Sequence, residues 1–265
     1  MLDFIYYPVS AVLWLWHTAF SAVLGTGSGL AWVLAIVFLV MTLRALLIRP
    51  FMAQLRFQRT MAEIQPEIKE IQRKHAGDRE KQAAEIQQLQ QEKGFNVLLG
   101  CLPLLGQSLV FIGLYHVLRS FKNPHVANYV FSTTQVQSFL DAKLFGVHLS
   151  ATLTTAGGAL GSVAAVAIPL MIIAAVATYF SARASVARQP RPANDAAAQQ
   201  TRIMNMLSQW VFPLGVLVFG PVMPVAILLY FVTQNAWTFG QQHLIYGRED
   251  RAKAEVPVRA TGVEG

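Results

Sequence analysis

"FLVMTLRALLIRP", residues 38–50, decides how this chain is read. Hydrocarbon side chains surround Arg44, and the apolar run that holds it begins at Leu30 and closes on Arg49 and Pro50. A helix needs about 20 apolar residues to cross a hydrocarbon layer of ~30 Å, so the stretch predicts a membrane span over residues 28–52. An arginine inside a span is costly and marks a candidate functional site.

The rest of the composition agrees with a membrane setting. Of 265 residues, 54% are hydrophobic and 13% charged, whereas soluble domains carry about a quarter charged residues. The net charge of +7 does not point to nucleic acid, because Lys and Arg sit in short polar stretches beside apolar runs, as membrane orientation requires. The single Cys101 lies in an apolar run, which excludes an intramolecular disulfide and a thiol cluster. The histidines at 17, 75, 116, 125, 148 and 243 form no i, i+4 pair, so no metal site is expected. There is no Ser-His-Asp set in a hydrophilic segment, no glycine-rich phosphate loop and no carboxylate pair. Neither enzyme chemistry nor a cofactor is expected.

The chain divides by hydropathy and charge into an all-α integral membrane protein with five transmembrane helices. Residues 1–27 are aromatic-rich, with Tyr6, Tyr7, Trp14 and Trp16, and read as an interfacial amphipathic helix, the alternative being one more spanning helix. After the first span, residues 53–94 form a hairpin standing in water. Met61, Ile64, Ile68 and Ile71 make a heptad-like seam, Ile86 and Leu89 answer it, and Asp78 in "HAGDRE" is the expected N-cap of the second arm. The second span covers 95–119, a loop 120–159, the third span 160–181, a basic Pro- and Ala-rich loop 182–202, the fourth span 203–220, the fifth 224–246, and a charged tail 247–265.

Counting Lys and Arg orients this pattern. Residues 49–94 hold nine, 181–203 four and the tail after 246 four, against three (Arg119, Lys122, Lys143) across the end of the second span and the long loop, and none before the first span. The positive-inside rule puts the hairpin, basic loop and C-terminus in the cytoplasm, with the N-terminus and the loop 120–159 outside.

Arg44 is five residues from Arg49, about 7–8 Å deeper along a helix. Two readings stand at this point. The long side chain can snorkel that distance, or it faces a hydrated cavity, since no Asp or Glu occurs in any of the five spans to pair with it. Gln107, Ser108, Ser208, Gln209, Thr233, Gln234 and Asn235 could line such a cavity; each alone could instead be an interhelical hydrogen bond.

Three stretches carry a resemblance. "GCLPLLGQSLVFIGLYHVL" (100–118), "LLYFVTQNAWTFGQQHLIY" (228–246) and the hairpin segment "QPEIKEIQRKHAGD" (65–78) are similar to those of the YidC/Oxa-type membrane protein insertases. "LDFIYYPVS" and "LYHVLRSF" look like actinobacterial members of that family, and the resemblance covers nearly the whole chain. Departures exist: Arg44 precedes Pro50 by six residues where the family has five, Leu109 replaces a common proline, and Phe231 follows Tyr230 where some members have a second tyrosine. The resemblance implies an insertase of the bacterial plasma membrane without covalent catalysis. Arg44 would sit in a groove open to cytoplasm and lipid, attract the polar or acidic tail of a nascent membrane protein, and release its helix along spans lined by Tyr230 and Trp237. The hairpin would meet substrate or targeting partners first, with the Sec translocon and the ribosome as further partners. A small transporter or channel is the main rival, although no internal repeat and no acidic residue within a span supports it.

Overall fold

The computed structural model describes residues 2–93, 97–187, 189 and 195–260, which form ten α-helices and one two-stranded ribbon. Helix α1 (Asp3–Leu24) buries Ile5, Val9, Leu13, His17 and Ser21, one residue every fourth position. Its other face leaves Phe4, Tyr7, Trp14, Leu15 and Val23 exposed. Gly25, at φ 90°, turns the chain into α2 (Gly29–Leu46), which packs against α1. His17 stacks on Trp32 at 3.7 Å, and Trp16 Nε1 donates to Thr42 Oγ1 at 2.9 Å.

Helix α2 ends earlier than the sequence suggests. Its last residue is Leu46, Leu47 is the cap, and α3 (Ile48–Lys74) starts at once. Pro50 has no N–H to donate to the carbonyl of Leu46, so the helical ladder cannot continue through it. Proline is tolerated in the first turn of a helix, where that donor has no partner anyway.

The hairpin consists of α3 and α4 (Arg79–Glu92), which pack together around Ile64, Ile68 and Leu89, with Ile71 and Ile86 at its edge. Met61 lies on α3, but its side chain is outside the described ones. Asp78 caps α4 by accepting from the Lys81 backbone N–H at 3.1 Å. Lys93 to Glu67 (3.1 Å) and His75 to Glu85 (2.8 Å) join the arms at opposite ends.

Residues 121–159 are a folded cap rather than a loop. Ser132 opens α6 (Thr133–Asp141) with a reciprocal capping box to Gln135. Strands β1 (Lys143–Leu144) and β2 (Val147–His148) pair antiparallel across Phe145 (φ 50°) and Gly146 (φ 83°). Two successive positive φ values give the turn whose twist matches a two-residue hairpin. Phe121, Phe131 and Phe139 close around Trp32, whose Nε1 donates to Ser138 Oγ. The start of α1 and the turn that follows it both touch this cap: Tyr7 meets Tyr129 edge-on at 5.3 Å, and Ser138 Oγ donates to Thr26 O at 2.5 Å.

Four stretches are long and apolar enough to cross a membrane among the described residues: Asp3–Leu24, Gly29–Leu46, Gly157–Ala187 and Ala198–Val222. The first belongs to α1, so length and composition alone do not separate an interfacial helix from a span there. Helix α5 (Val97–Ser120) carries an apolar run over Ser108–Ser120; residues 94–96 and the side chains of 97–105 and 107 lie outside the description. Helix α7 (Leu160–Ala187) runs six residues beyond the expected end of the third span. Helix α8 (Asp195–Met206) takes up residues expected in the basic loop, most of whose remainder (188 and 190–194) lies outside the description. A π-helical turn, Leu207–Val211, joins α8 to α9 (Phe212–Phe219), with Phe212 N–H bonded to Leu207 O, five residues back. Pro213 accounts for it, because Gln209 O cannot receive the usual i+4 donor from a proline.

Helix α10 (Val225–Ala260) is not among the four apolar stretches, since Thr233, Gln234, Asn235, Gln241 and Gln242 dilute it. It also continues as helix through most of the expected tail, where Glu249 and Lys253 stand at the helix-favouring i, i+4 spacing.

The main hydrophobic core joins α1, α2, α5, the cap, α7 and the start of α10. It lies at the cap end. On α2 it stops at Val40, on α7 at Met171, and on α10 at Tyr230.

Gly29 packs against the Lys143 backbone carbonyl where β1 meets α2, and a Cβ there would collide with backbone. Gly29→Ala is therefore expected to cost about 1–3 kcal/mol, the usual range for overpacking, as a lowered unfolding temperature in detergent. Gly27→Ala, which points into open space, serves as the unchanged control. In the hairpin, the hydrogen bond from the Lys81 backbone N–H holds the Asp78 carboxyl below the ordinary carboxylate range. A depressed folded-state value means that the cap contributes above the unfolded value of about 3.9 and is lost as pH falls through the folded one. Asp78→Ala should lower hairpin protection in amide hydrogen exchange at neutral pH, and the difference from the unsubstituted chain should vanish in acid.

Candidate functional site

Arg44 sits in the last turn of α2, one turn past the end of that helix's buried face. A cation there complements the partial negative charge of a helix C-terminus. The side chain is half-buried and reaches across to α10. Its Nε donates to Gln234 Oε1 at 3.0 Å, and one terminal nitrogen donates to Thr238 Oγ1 at 2.8 Å. Thr238 passes its own hydroxyl proton to Gln234 O at 2.9 Å, which leaves its oxygen turned towards the arginine. Both acceptors are neutral and one helical turn apart, so the guanidinium is hydrogen-bonded without being neutralised.

The opposite side of α10 is tied to α7. The Thr178 hydroxyl donates to Asn235 Oδ1 at 3.1 Å, and Gln242 Nε2 donates to Ser185 Oγ at 3.0 Å and to Ser181 O at 3.3 Å. Helix α10 is thus held on two sides by side-chain hydrogen bonds, which in an apolar medium are worth about 0.6 kcal/mol each and up to about 2.

The residues singled out from sequence are distributed as follows. Arg44 and Gln234 are joined directly. Asn235 is nine-tenths buried and belongs to the α7 contact. Trp237 donates from Nε1 to Gln241 Oε1 at 2.9 Å along its own helix, and the ring is half-buried. Tyr230 is buried at the boundary of the core, its ring 6.0 Å from Phe111 and 5.6 Å from Phe231. Ser108 is exposed on α5, and Gln209 is half-buried within the π-helical turn, whose helix packs on α7. Of Ser208 and Thr233, each donates back to its own helix, to Asn205 O and Leu229 O. Gln107 lies on α5 with its side chain outside the described ones. Thr238 went unidentified from sequence, although its position one turn beyond Gln234 is the signal that would have found it.

Among the described residues, no group of three or more His, Cys, Asp or Glu could hold a metal ion. What the site presents is a cation, neutral hydrogen-bonding groups and aromatic rings below a packed apolar end.

The direct contact is open to a double-mutant cycle. Arg44→Met and Thr238→Val, singly and together, should give a coupling energy of about 1 kcal/mol in equilibrium unfolding. A coupling of zero would mean that the two side chains do not meet.

Residues 23–252 match the family described as 60Kd inner membrane protein. The chain is similar to the membrane protein insertase YidC of Mycolicibacterium paratuberculosis, at 50% identity covering 97% of this chain and 80% of that protein. It is 49% identical to the membrane protein insertase YidC of Mycobacterium tuberculosis, covering 97% and 77% of the two chains. The Streptomyces avermitilis protein of the same name is 33% identical, covering 91% of this chain and 57% of that protein. These organisms are actinobacteria, in keeping with the look of "LDFIYYPVS" and "LYHVLRSF".

Proposed function

The chain belongs to the 60Kd inner membrane protein family and is a membrane protein insertase of YidC type, and we propose that Arg44 is the electrostatic centre of its substrate groove. It is a multi-pass protein of the bacterial inner membrane, and its substrates are nascent membrane proteins that it passes to the lipid bilayer.

One observation carries the groove reading: a half-buried arginine bonded to two neutral acceptors, with a packed apolar core between it and the cap. A carboxylate arriving from a substrate tail gives the guanidinium what Gln234 and Thr238 do not, an opposite charge at hydrogen-bond distance. That gain offsets part of the cost of bringing the tail into a low-dielectric region. The substrate's apolar helix then moves into lipid by hydrophobic transfer, past the half-buried ring of Trp237, while Tyr230 closes the core end of the groove. Ser108, Gln209 and Gln234 supply polar surface along the route, and Asn235 keeps α10 fixed against α7. The sealed end keeps the groove from opening through the membrane. Each step is binding and transfer, and none calls for a covalent intermediate.

Within this reading the chain makes five spans: α2, α5, α7, the α8–π–α9 stretch, and α10 with its polar residues turned inward on α2 and α7. Helix α1 lies in the outer interface. A helix of 22 residues is about 33 Å long, and contact of its first turns, and of the turn that follows it, with one cap favours lying over crossing. The α3–α4 hairpin, the 182–202 region and the C-terminal tail are cytoplasmic, with the N-terminus and cap outside, as the Lys and Arg distribution favours. The hairpin, with Ile64, Ile68, Ile71, Ile86 and Leu89 in its seam and Met61 in register with them by sequence, receives substrate first. The Sec translocon works beside the chain, and the basic cytoplasmic segments meet ribosomal RNA phosphates.

In a Cys101→Ser background, single cysteines at 40, 44 and 48 can be labelled with a membrane-impermeant maleimide from either side. Labelling at 44 from the cytoplasmic side, with 40 protected, is the outcome the groove requires. Arg44→Ala should lower insertion of acidic-tailed substrates about tenfold, equivalent to roughly 1.4 kcal/mol, while Arg44→Lys retains most of it. Unchanged insertion by Arg44→Ala would leave the arginine as a snorkelling side chain.

A further inference from the structure

The ribbon turn and helix α7 enclose a groove of about 470 Å³ that the insertion mechanism does not use. Leu144 and Phe145 form one wall; Ala165, Pro169 and Ile173, one turn apart along α7, form the other, and Ser162 stands at its cap end. Ser162 is the one hydroxyl in the lining, and it already donates to Ala159 O at 2.8 Å. A water molecule needs two to four polar partners to reside in such a space, and this lining does not offer them. The groove is apolar, and it lies on the α7 surface where Ile168, Ile172, Ile173 and Val176 are exposed.

That surface belongs to a stretch, Gly157–Ala187, apolar enough to cross the bilayer, so the medium against it is hydrocarbon. The groove's outer wall is held firmly. Phe145 is 87% exposed, yet it sits at a turn fixed by two positive φ values. The ribbon behind it is anchored, with Lys143 against Gly29 and the backbone running on to a bond from Ala226 N–H to Leu149 O at 2.9 Å. An exposed phenyl on an anchored turn does not collapse onto the protein, and it leaves the groove open towards the lipid.

We propose that this groove is a phospholipid site, holding one acyl chain from the leaflet on the cap side, with Phe145 laid against the chain. Ala165 and Pro169 shape the notch, because a short side chain and a ring without a free end leave room that a leucine or phenylalanine would take. The site stands apart from Arg44 and does not depend on the substrate groove. One annular chain is thereby distinguished from its neighbours by being enclosed on two sides.

The test uses the full chain released from nanodiscs of palmitoyl-oleoyl phosphatidylglycerol into native mass spectrometry. The unsubstituted chain should keep one phospholipid at activation energies that strip the rest. Ala165→Phe, which fills the notch, should reduce that retained species to background, and Val176→Phe, on the exposed face of the same helix, should keep it. Equal retention by Ala165→Phe, or equal loss by Val176→Phe, overturns the proposal. A photoreactive benzoylphenylalanine in place of Phe145, irradiated in membranes, gives a second readout independent of how Ala165→Phe folds. An adduct of one phospholipid mass supports the site. A polypeptide adduct shows that the groove docks a partner helix, and no adduct shows that it is empty; either overturns the lipid assignment.

Discussion

The first turn of α10 is anchored under the cap, and the polar half of the molecule takes its register from that anchor. A helix begins with backbone N–H groups that have no partner within it. Here Val225 N–H donates to Ala151 O at 3.0 Å and Ala226 N–H to Leu149 O at 2.9 Å. In an apolar medium such donors are costly to leave unmade, so the cap segment after β2 and the helix start fix one another. Val225, Ala226, Ile227 and Leu228 are then fully buried. Gln234, eight residues beyond Ala226, comes to lie about 12 Å further along the axis, level with the last turn of α2. Arg44 finds its acceptors because α10 cannot slide.

This arrangement gives the helix set two unlike ends. Near the cap, Trp32, Phe131 and Phe139 are all but fully buried and the contacts are apolar. Away from it, side-chain hydrogen bonds hold α10 to α2 and to α7. A packed apolar end is dense and resists water, while interhelical hydrogen bonds tolerate exchange with other polar groups. In the groove reading proposed for Arg44, this division lets one end stay closed while the other trades contacts with a substrate.

Much of this was legible in the sequence, for reasons that differ by element. The hairpin seam at Ile64, Ile68 and Leu89 follows from periodicity, and the Asp78 cap from local chemistry, both of which act within a few residues. Arg44 stood out because charge within an apolar run is rare, and Gln234 stood among the polar residues that could line a cavity around it, but the bond between the two was not foreseen. The cap was not legible. Its order comes from backbone bonds between Leu149 or Ala151 and α10, some 75 residues away, and from Gly29 meeting Lys143. No periodicity announces such contacts. The end of α2 at Leu46 was missed because the apolar run continues to Ile48, whereas the helical ladder depends on a missing donor at Pro50.

The π-helical turn at Leu207–Val211 alters the phase of the helix that contains it. One extra residue in a turn rotates everything beyond it by roughly 100°. Across the turn, positions eight apart share a face where an unbroken helix would align positions seven apart. Asn205 and Pro213 are the partially and fully buried pair, while Phe212, seven from Asn205, is turned outward. A helical wheel drawn through 198–222 as one ideal helix is therefore right on each side of the turn and wrong across it. Ser208 and Gln209 sit within the discontinuity itself, so any face assigned to them by counting from either end differs from the other count by one residue.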